Sequence, residues 1–279
     1  MSANRPSAAR RPPYAVYAGT FLLLTACGNT SETATGAHEV RAAATASAGV
    51  AGPQAAGERG RAALVPYAGR AAPGPYAPRV LPREIPALGW RTRGEIPADS
   101  RQALVVTGTS YNSSLSTAVL YTRDDPAKGW RAATDRWPAH NGLKGWTDEH
   151  WEDDLRTPVG VYGLTAAGGR FAPPQTVFPY EQRPEFAVSG EGFDGEALEG
   201  SFDYVVAVDY NRVPGASPLD PVRPLGKERG GGIWIHVDHG GPTQGCISLP
   251  KNRMRELLRI LDPEKKPVVV IGDTEALGR

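Results

Sequence analysis

The chain has 279 residues, enough for one sizeable domain plus a further segment, and its 40% apolar and 22% charged residues are ordinary for a globular protein. With 31 Lys and Arg against 30 Asp and Glu the net charge is +1, so no global basic field recruits nucleic acid or an acidic membrane, and nucleic-acid binding is excluded. The 33 Gly and 26 Pro are too many for a helical protein and point to a turn-rich, mainly β domain.

At the N-terminus Arg5, Arg10 and Arg11 precede a short apolar run from Tyr14 to Ala26. This is the pattern of an export signal, and the run is too short for an ordinary transmembrane helix. It ends in Leu24-Thr25-Ala26-Cys27, which resembles the lipobox of bacterial lipoproteins. That resemblance implies that residues 1–27 are a signal peptide and that Cys27 carries the lipid, anchoring the protein to the outer face of the bacterial cell membrane. The alternative is an uncleaved or conventionally cleaved signal, and with either the protein works outside the cytoplasm. Residues 28–82 are Ala, Gly, Pro, Thr, Ser and scattered Arg. Such a composition cannot bury enough surface to offset its ordering entropy, so it reads as a disordered tether with a root-mean-square span of about 40 Å. The folded domain is expected over residues 83–279.

Within that domain Ala103 to Gly108 and Ser116 to Tyr121 are short β-rich runs flanking the turn-forming Tyr111-Asn112-Ser113-Ser114, which predicts a hairpin. Further strands are expected at Gly160 to Leu164, Tyr204 to Asp209, Gly232 to Val237 and Pro267 to Ile271. Trp130, Trp137, Trp146 and Trp151 with His140 and His150 read as packing rather than as a carbohydrate-binding platform. The acidic run from Asp148 to Asp154 reads as a solvated loop. One helix is predicted: Met254, Leu257, Leu258 and Leu261 share a face at i, i+3, i+4 and i+7, Pro250 suits its first turn, and Asp262-Pro263 ends it. If its N-terminus faced Cys246, its dipole would favour a thiolate there.

The densest chemistry lies between Gly230 and Leu249. With Cys27 lipidated, Cys246 is the one thiol left. A leftover thiol in an exported protein is either a reactive group or a buried, inert small hydrophobe. A strand delivers His236 to its end, a Gly/Pro loop turns back, and nine intervening residues later comes Cys246. A nucleophilic cysteine needs such a neighbour: an unperturbed thiol, at about 8.5, is mostly protonated near neutral pH, and an imidazole lowers its pKa and accepts its proton. Gly245 allows close backbone approach, and the N–H groups of Gln244, Gly245 and Cys246 are the expected oxyanion donors, each worth about 3 to 4 kcal/mol of transition-state stabilisation.

Thr243-Gln244-Gly245-Cys246-Ile247-Ser248-Leu249, preceded by Ile235-His236, resembles the Ser/Thr-His-Gly-Cys signature of the L,D-transpeptidase catalytic domain, also called YkuD. Upstream, Arg156-Thr157-Pro158-Val159-Gly160-Val161-Tyr162 resembles that family's Thr-Pro-x-Gly strand opening. The resemblance spans roughly Gln102 to Gly272. It implies a mainly β fold, a sandwich or partly closed barrel, with the amphipathic helix after the cysteine. It also implies that Cys246 attacks the third residue of a peptidoglycan tetrapeptide stem and expels D-alanine. His236 is then general base and acid, and the side-chain amine of a second stem resolves the acyl-enzyme as a 3-3 cross-link. Neither cofactor nor metal is implied, and carbapenems are expected to acylate the thiol. With Cys246→Ala, turnover should vanish and thermal stability stay nearly unchanged.

The sequence departs from the pattern in having Gln244 where the family has His, Ser248 where it often has Arg or Asn, and a shorter His-to-Cys loop, which makes this a divergent branch. Thr243, Asp238, His239 and Ser248 are expected at the border of the site, for substrate contact or support. Asp238 suits either orientation of an imidazole or solvation of its loop. His239 reads as a solvated loop residue or a minor aid to catalysis. A metal site from His236, His239, Cys246 and Asp238 is a weaker alternative, since the spacing matches no closed zinc site. Water in place of the amine would make the enzyme an L,D-carboxypeptidase, and loss of turnover would leave a wall-binding lipoprotein. Peptidoglycan stems and the membrane, through the anchor, are the expected partners.

Overall fold

The computed structural model describes residues 83–279; the expected signal peptide, lipidated Cys27 and tether lie outside them. The strands are β1 (Gln102–Gly108), β2 (Leu115–Thr122), β3 (Arg131–Ala132), β4 (Trp137–His140), β5 (Trp146–Thr147), β6 (Thr157–Pro158), β7 (Gly160–Gly169), β8 (Tyr180–Gln182), β9 (Val205–Val208), β10 (Trp234–Val237), β11 (Ile247–Leu249) and β12 (Val268–Asp273). The helices are α1 (Trp90–Glu95), α2 (Lys251–Ile260) and α3 (Thr274–Leu277).

Eight strands follow one another in the order β1-β12-β7-β9-β10-β11-β4-β2, and the pairing of β2 with β1 closes them into a barrel. The β1–β12 and β10–β11 neighbours are parallel and the others antiparallel. Of the two arrangements expected from sequence, the barrel is the one observed, and it is fully closed. Closure rests on β1, whose two edges pair with β2 and β12. Its two faces are also both covered: Leu104 and Val106 belong to the main core, Ala103 and Val105 to a second cluster with Ile85, Leu88, Ile96, Trp130 and Leu277. This is why the strand reads as a continuous apolar run rather than an alternating one.

The main core combines Leu120, Trp137, Leu164, Val206, Ile235, Ile247, Leu249, Val269 and Ile271 with the apolar stripe of α2. All four residues of that stripe, Met254, Leu257, Leu258 and Leu261, are fully buried. Pro250 stands at the N-cap and Leu261 at the C-cap, in agreement with the sequence pattern. Leu257→Ala is expected to lower the unfolding free energy by about 2–5 kcal/mol through lost burial and the cavity left behind, measured by chemical denaturation.

The helix N-terminus does not reach the cysteine. The extended strand Ile247–Leu249 separates Cys246 from Lys251, and at about 3.3 Å per residue it carries the helix start beyond the first turn's electrostatic range. Trp130, Trp137 and Trp146 are buried, as packing requires, whereas Trp151 is half exposed beneath the Arg229 guanidinium, 4.4 Å from its ring centroid. Among the described residues no helix is long and apolar enough to cross a membrane.

Candidate active site

The parallel pair β10–β11 brings the two sequence-predicted residues together. Ile235, Val237, Ile247 and Leu249 turn into the main core, while Trp234 and Cys246 join a separate cluster with Phe186, Phe202, Val205 and Ala207. Strand alternation therefore places His236 and Cys246 on one face of the sheet, outside the barrel. In register Ile235 stands opposite Ile247 and His236 opposite Ser248, so Cys246 is the diagonal neighbour of His236. Such neighbours lie about 7–8 Å apart at Cα, within reach of long side chains.

His236 is buried, and its Nδ1–H donates to the Val237 carbonyl at 2.9 Å. A carbonyl only accepts, so the ring proton is on Nδ1 and the lone pair on Nε2. Nε2 is buried with no hydrogen-bond partner among the described residues. Burial, helped by His239 and opposed by the Val237 carbonyl and Asp238, pushes the imidazole down to about 4. The ring is thus neutral at neutral pH. Phe202 packs edge-on against it, with 5.3 Å between centroids.

Cys246 is fully buried at the entrance to β11. Its Sγ accepts from the Trp234 N–H at 3.4 Å and donates to the Gly232 carbonyl at 3.6 Å, placing the sulfur between the two strands.

Thr243 latches the loop before it. Its Oγ1 donates to the Cys246 carbonyl at 2.6 Å and accepts from the Gly245 N–H at 3.2 Å, and its backbone bonds to Asn141 and Leu143. Of the three expected oxyanion donors, the Gly245 N–H is therefore committed to Thr243. A Cβ on Gly245 would stand 3.0 Å from the Arg156 carbonyl and 3.3 Å from Ile233 Cδ1. The two sequence motifs thus meet in space, since Arg156 runs directly into β6 and the Thr157 Oγ1 accepts from the Gly142 N–H at 2.9 Å.

Asp238 and Ser248 form a clamp beside the site. Asp238 Oδ1 accepts from Ser248 Oγ at 2.7 Å and from His140 Nδ1 at 2.8 Å, joining the end of β10 to β11 and β4. Burial raises the Asp238 carboxyl, but the bonds from His140 and Ser248 outweigh it and hold it at about 2. The bond to Asp238 in turn raises the His140 imidazole, against burial. Ser248 is fully buried, so its hydroxyl is an internal strut.

His239 is not a solvated loop residue. Its side chain is 6% exposed, its Nδ1 lies 2.9 Å from Glu196 Oε1, and its ring stacks on His236 with centroids 5.7 Å apart and planes 9° from parallel. Glu196 had no signature in the sequence. It sits in a Gly- and acid-rich stretch where nothing distinguishes it from Glu191 or Glu199.

A small cavity of about 30 Å³ opens to solvent over this face, lined by His236, His239, Phe202, Leu198, Pro242 and Gln244 among others. Gln244 also borders a second small cavity of about 30 Å³, with His150, Glu152 and Gly245. Cys246 lines neither. Among the described residues no group of three or more His, Cys, Asp or Glu is arranged to hold a metal ion.

The crystal structure of the helical cell shape determining protein Pgp2 from Campylobacter jejuni shares 20% identity with this chain at a TM-score of 0.34, over 62% of this chain and 47% of that one. The chain thus spans about half the length of that protein. No curated protein matches it. The family model of the L,D-transpeptidase catalytic domain, YkuD, matches residues 110–270, which include β10, β11 and both motifs. The chain belongs to the YkuD family of L,D-transpeptidase catalytic domains.

Proposed function

We propose that the protein is a peptidoglycan L,D-transpeptidase that forms 3-3 cross-links between stem peptides through a cysteine acyl-enzyme. The observation that carries this reading is the state of His236: a neutral imidazole with its proton fixed on Nδ1 and a bare, buried Nε2, on the same face as Cys246 and one strand away. A general base requires that tautomer.

In this reading the thiol turns about χ1 out of the strand gap, and Nε2 takes its proton. Sulfur then attacks the carbonyl of the third stem residue. The oxyanion is met by backbone N–H groups at Gln244 and Cys246, and collapse expels D-alanine, whose nitrogen receives the proton from His236. The thioester passes to an amine of a second stem, forming a C–N bond, breaking the C–S bond and returning the thiol. No nucleotide is needed, because the energy of the cleaved peptide bond is carried in the thioester.

An exported protein held at the membrane by a lipidated Cys27 and a tether over residues 28–82 would bring this domain to the wall. The test is to incubate the purified full-length chain with disaccharide-tetrapeptide fragments and weigh the products. Dimers with released D-alanine are expected. Tripeptide alone would make the enzyme an L,D-carboxypeptidase, and unchanged fragments would reject peptidoglycan acyl transfer in favour of a wall-binding role.

A further inference from the structure

The pair formed by Glu196 and His239 is built rather than incidental. Residues 190–198 fold into a small hairpin, with Glu191 bridged to Ala197, the Gly192 N–H donating to the Glu196 carbonyl at 2.8 Å and the Leu198 N–H to the Gly190 carbonyl at 3.0 Å. This hairpin holds the Glu196 carboxylate against His239, which lines the cavity. Its Oε2 accepts from the Asp194 N–H at 2.8 Å and its Oε1 meets His239 Nδ1. The slot is tight, since a Cβ on Gly192 or Gly241 would fall 2.0 or 2.1 Å from Oε1. Burial raises the Glu196 carboxyl, but backbone N–H groups and His239 outweigh it and keep it below the ordinary carboxylate range, so Glu196 is an anion at neutral pH. With Nδ1 engaged, Nε2 is the nitrogen that His239 offers to a group entering the cavity it lines.

We propose that the Glu196–His239 pair is the proton acceptor for the ammonium group of the incoming acyl acceptor, so that this cavity favours an amine over water in the second half-reaction. The inference rests on the acyl transfer proposed above. An acceptor amine arrives at neutral pH as an ammonium with an ordinary pKa of about 10 and cannot attack until it loses a proton. The ammonium sheds two protons on becoming an amide nitrogen, and the single lone-pair nitrogen of His236, Nε2, takes only one of them. A second imidazole 5.7 Å away and backed by a carboxylate meets the need.

His239 Nε2 takes the first proton from the ammonium, and the resulting imidazolium faces the Glu196 carboxylate. The freed amine attacks the thioester carbonyl and its second proton passes to His236. The C–S bond then breaks, the sulfur takes that proton back, and His239 releases its own to solvent. One ammonium and one thioester thus give one amide, one thiol and one proton. The titratable groups around His239 are Glu196 and Glu191 from the hairpin and His236 and Asp238 from its own segment.

The test compares the full-length wild-type chain with His239→Gln and Glu196→Gln, using disaccharide-tetrapeptide as both donor and acceptor between pH 6 and 9.5. D-alanine release reports acylation, and the ratio of dimer to tripeptide reports amine against water. His239→Gln is expected to lower the dimer-to-tripeptide ratio about tenfold at pH 7, whatever its effect on total D-alanine release. The ratio should recover towards pH 9.5, where more of the amine is already free, and Glu196→Gln should shift it the same way by less. An unchanged ratio in both variants would overturn the proposal. So would an equal fall in dimer and tripeptide, which would mean that His239 only supports His236 by stacking, or a deficit independent of pH. Wild-type chain that yields tripeptide alone would sink this inference and leave hydrolysis standing, whereas wild-type chain that releases no D-alanine would remove the reading on which it rests. Should His239→Gln fail to fold, Glu196→Gln on the surface hairpin carries the same comparison.

Discussion

Cys246→Ser is expected to abolish acyl transfer, by about 10,000-fold or more, while leaving the domain folded. The sulfur sits between the Trp234 N–H and the Gly232 carbonyl, and a hydroxyl of similar size both accepts and donates in that position. A serine hydroxyl is far less acidic than a thiol, so a neutral imidazole alone does not activate it to the same degree. Alanine is the poorer probe. It leaves the buried Trp234 N–H without its acceptor, at about 1–3 kcal/mol, so the expectation that Cys246→Ala spares thermal stability is revised downwards by the structure. The check is D-alanine release, with intact mass after exposure to a carbapenem as a second readout. An adduct on wild type and none on Cys246→Ser is the expected result. Turnover retained by the serine variant would show that another group is the nucleophile.

How far the sequence foretold this site depends on whether the deciding contact was local. The α2 stripe was legible because helical periodicity is a property of ten consecutive residues, and its four apolar positions are the ones buried. The hairpin β1–β2 was legible for the same reason, its two apolar runs meeting in antiparallel register across a short turn. Two barrel strands were not read. β11 is only three residues between Gly245 and Pro250, too short for any pattern. β4 contains Pro138, which argues against a strand inside a sheet. The proline is tolerated because β11 meets β4 only at His140, so no neighbour on that side calls for its missing N–H. Barrel closure was likewise hidden, since β1 pairs with β12 across some 160 residues of chain. At the site, the sequence brought His236 and Cys246 together across a nine-residue loop, whereas their shared face depends on the register of β11, which was not read. The partners of the flanking residues were not read either: Asp238 is held by His140 from β4, and His239 by Glu196 from a distant hairpin. The sequence showed His239 in a Gly-rich loop and so suggested solvent, whereas the contact that buries it comes from more than forty residues away.

His236→Gln is expected to lower turnover by about 100- to 10,000-fold, the usual worth of a positioned general base, and also to change how stability depends on pH. The imidazole falls from an ordinary 6.5 to about 4 in the folded protein because burial penalises its charged form. Between those two values the unfolded chain binds a proton there and the folded chain does not. Acidification therefore favours unfolding: the contribution is fully present above about 6.5, declines through that window, and levels off below about 4 after a loss of about 3 kcal/mol. Glutamine does not titrate, so the variant should lack this component. His140, raised by its bond to Asp238, works in the opposite sense, contributing most below its ordinary value. Glu196 and Asp238, both lowered, lose their contributions only in the more acidic range. All three remain in the variant, so the difference between wild type and His236→Gln across pH 6.5 to 4, measured by chemical denaturation, isolates the buried imidazole. Parallel curves would mean that His236 is not held neutral by burial. A neutral imidazole that costs this much to protonate readily returns a proton to a leaving amine, so in the proposed mechanism the burial that destabilises the protein in acid would also suit His236 to act as general acid once it had taken the proton of Cys246.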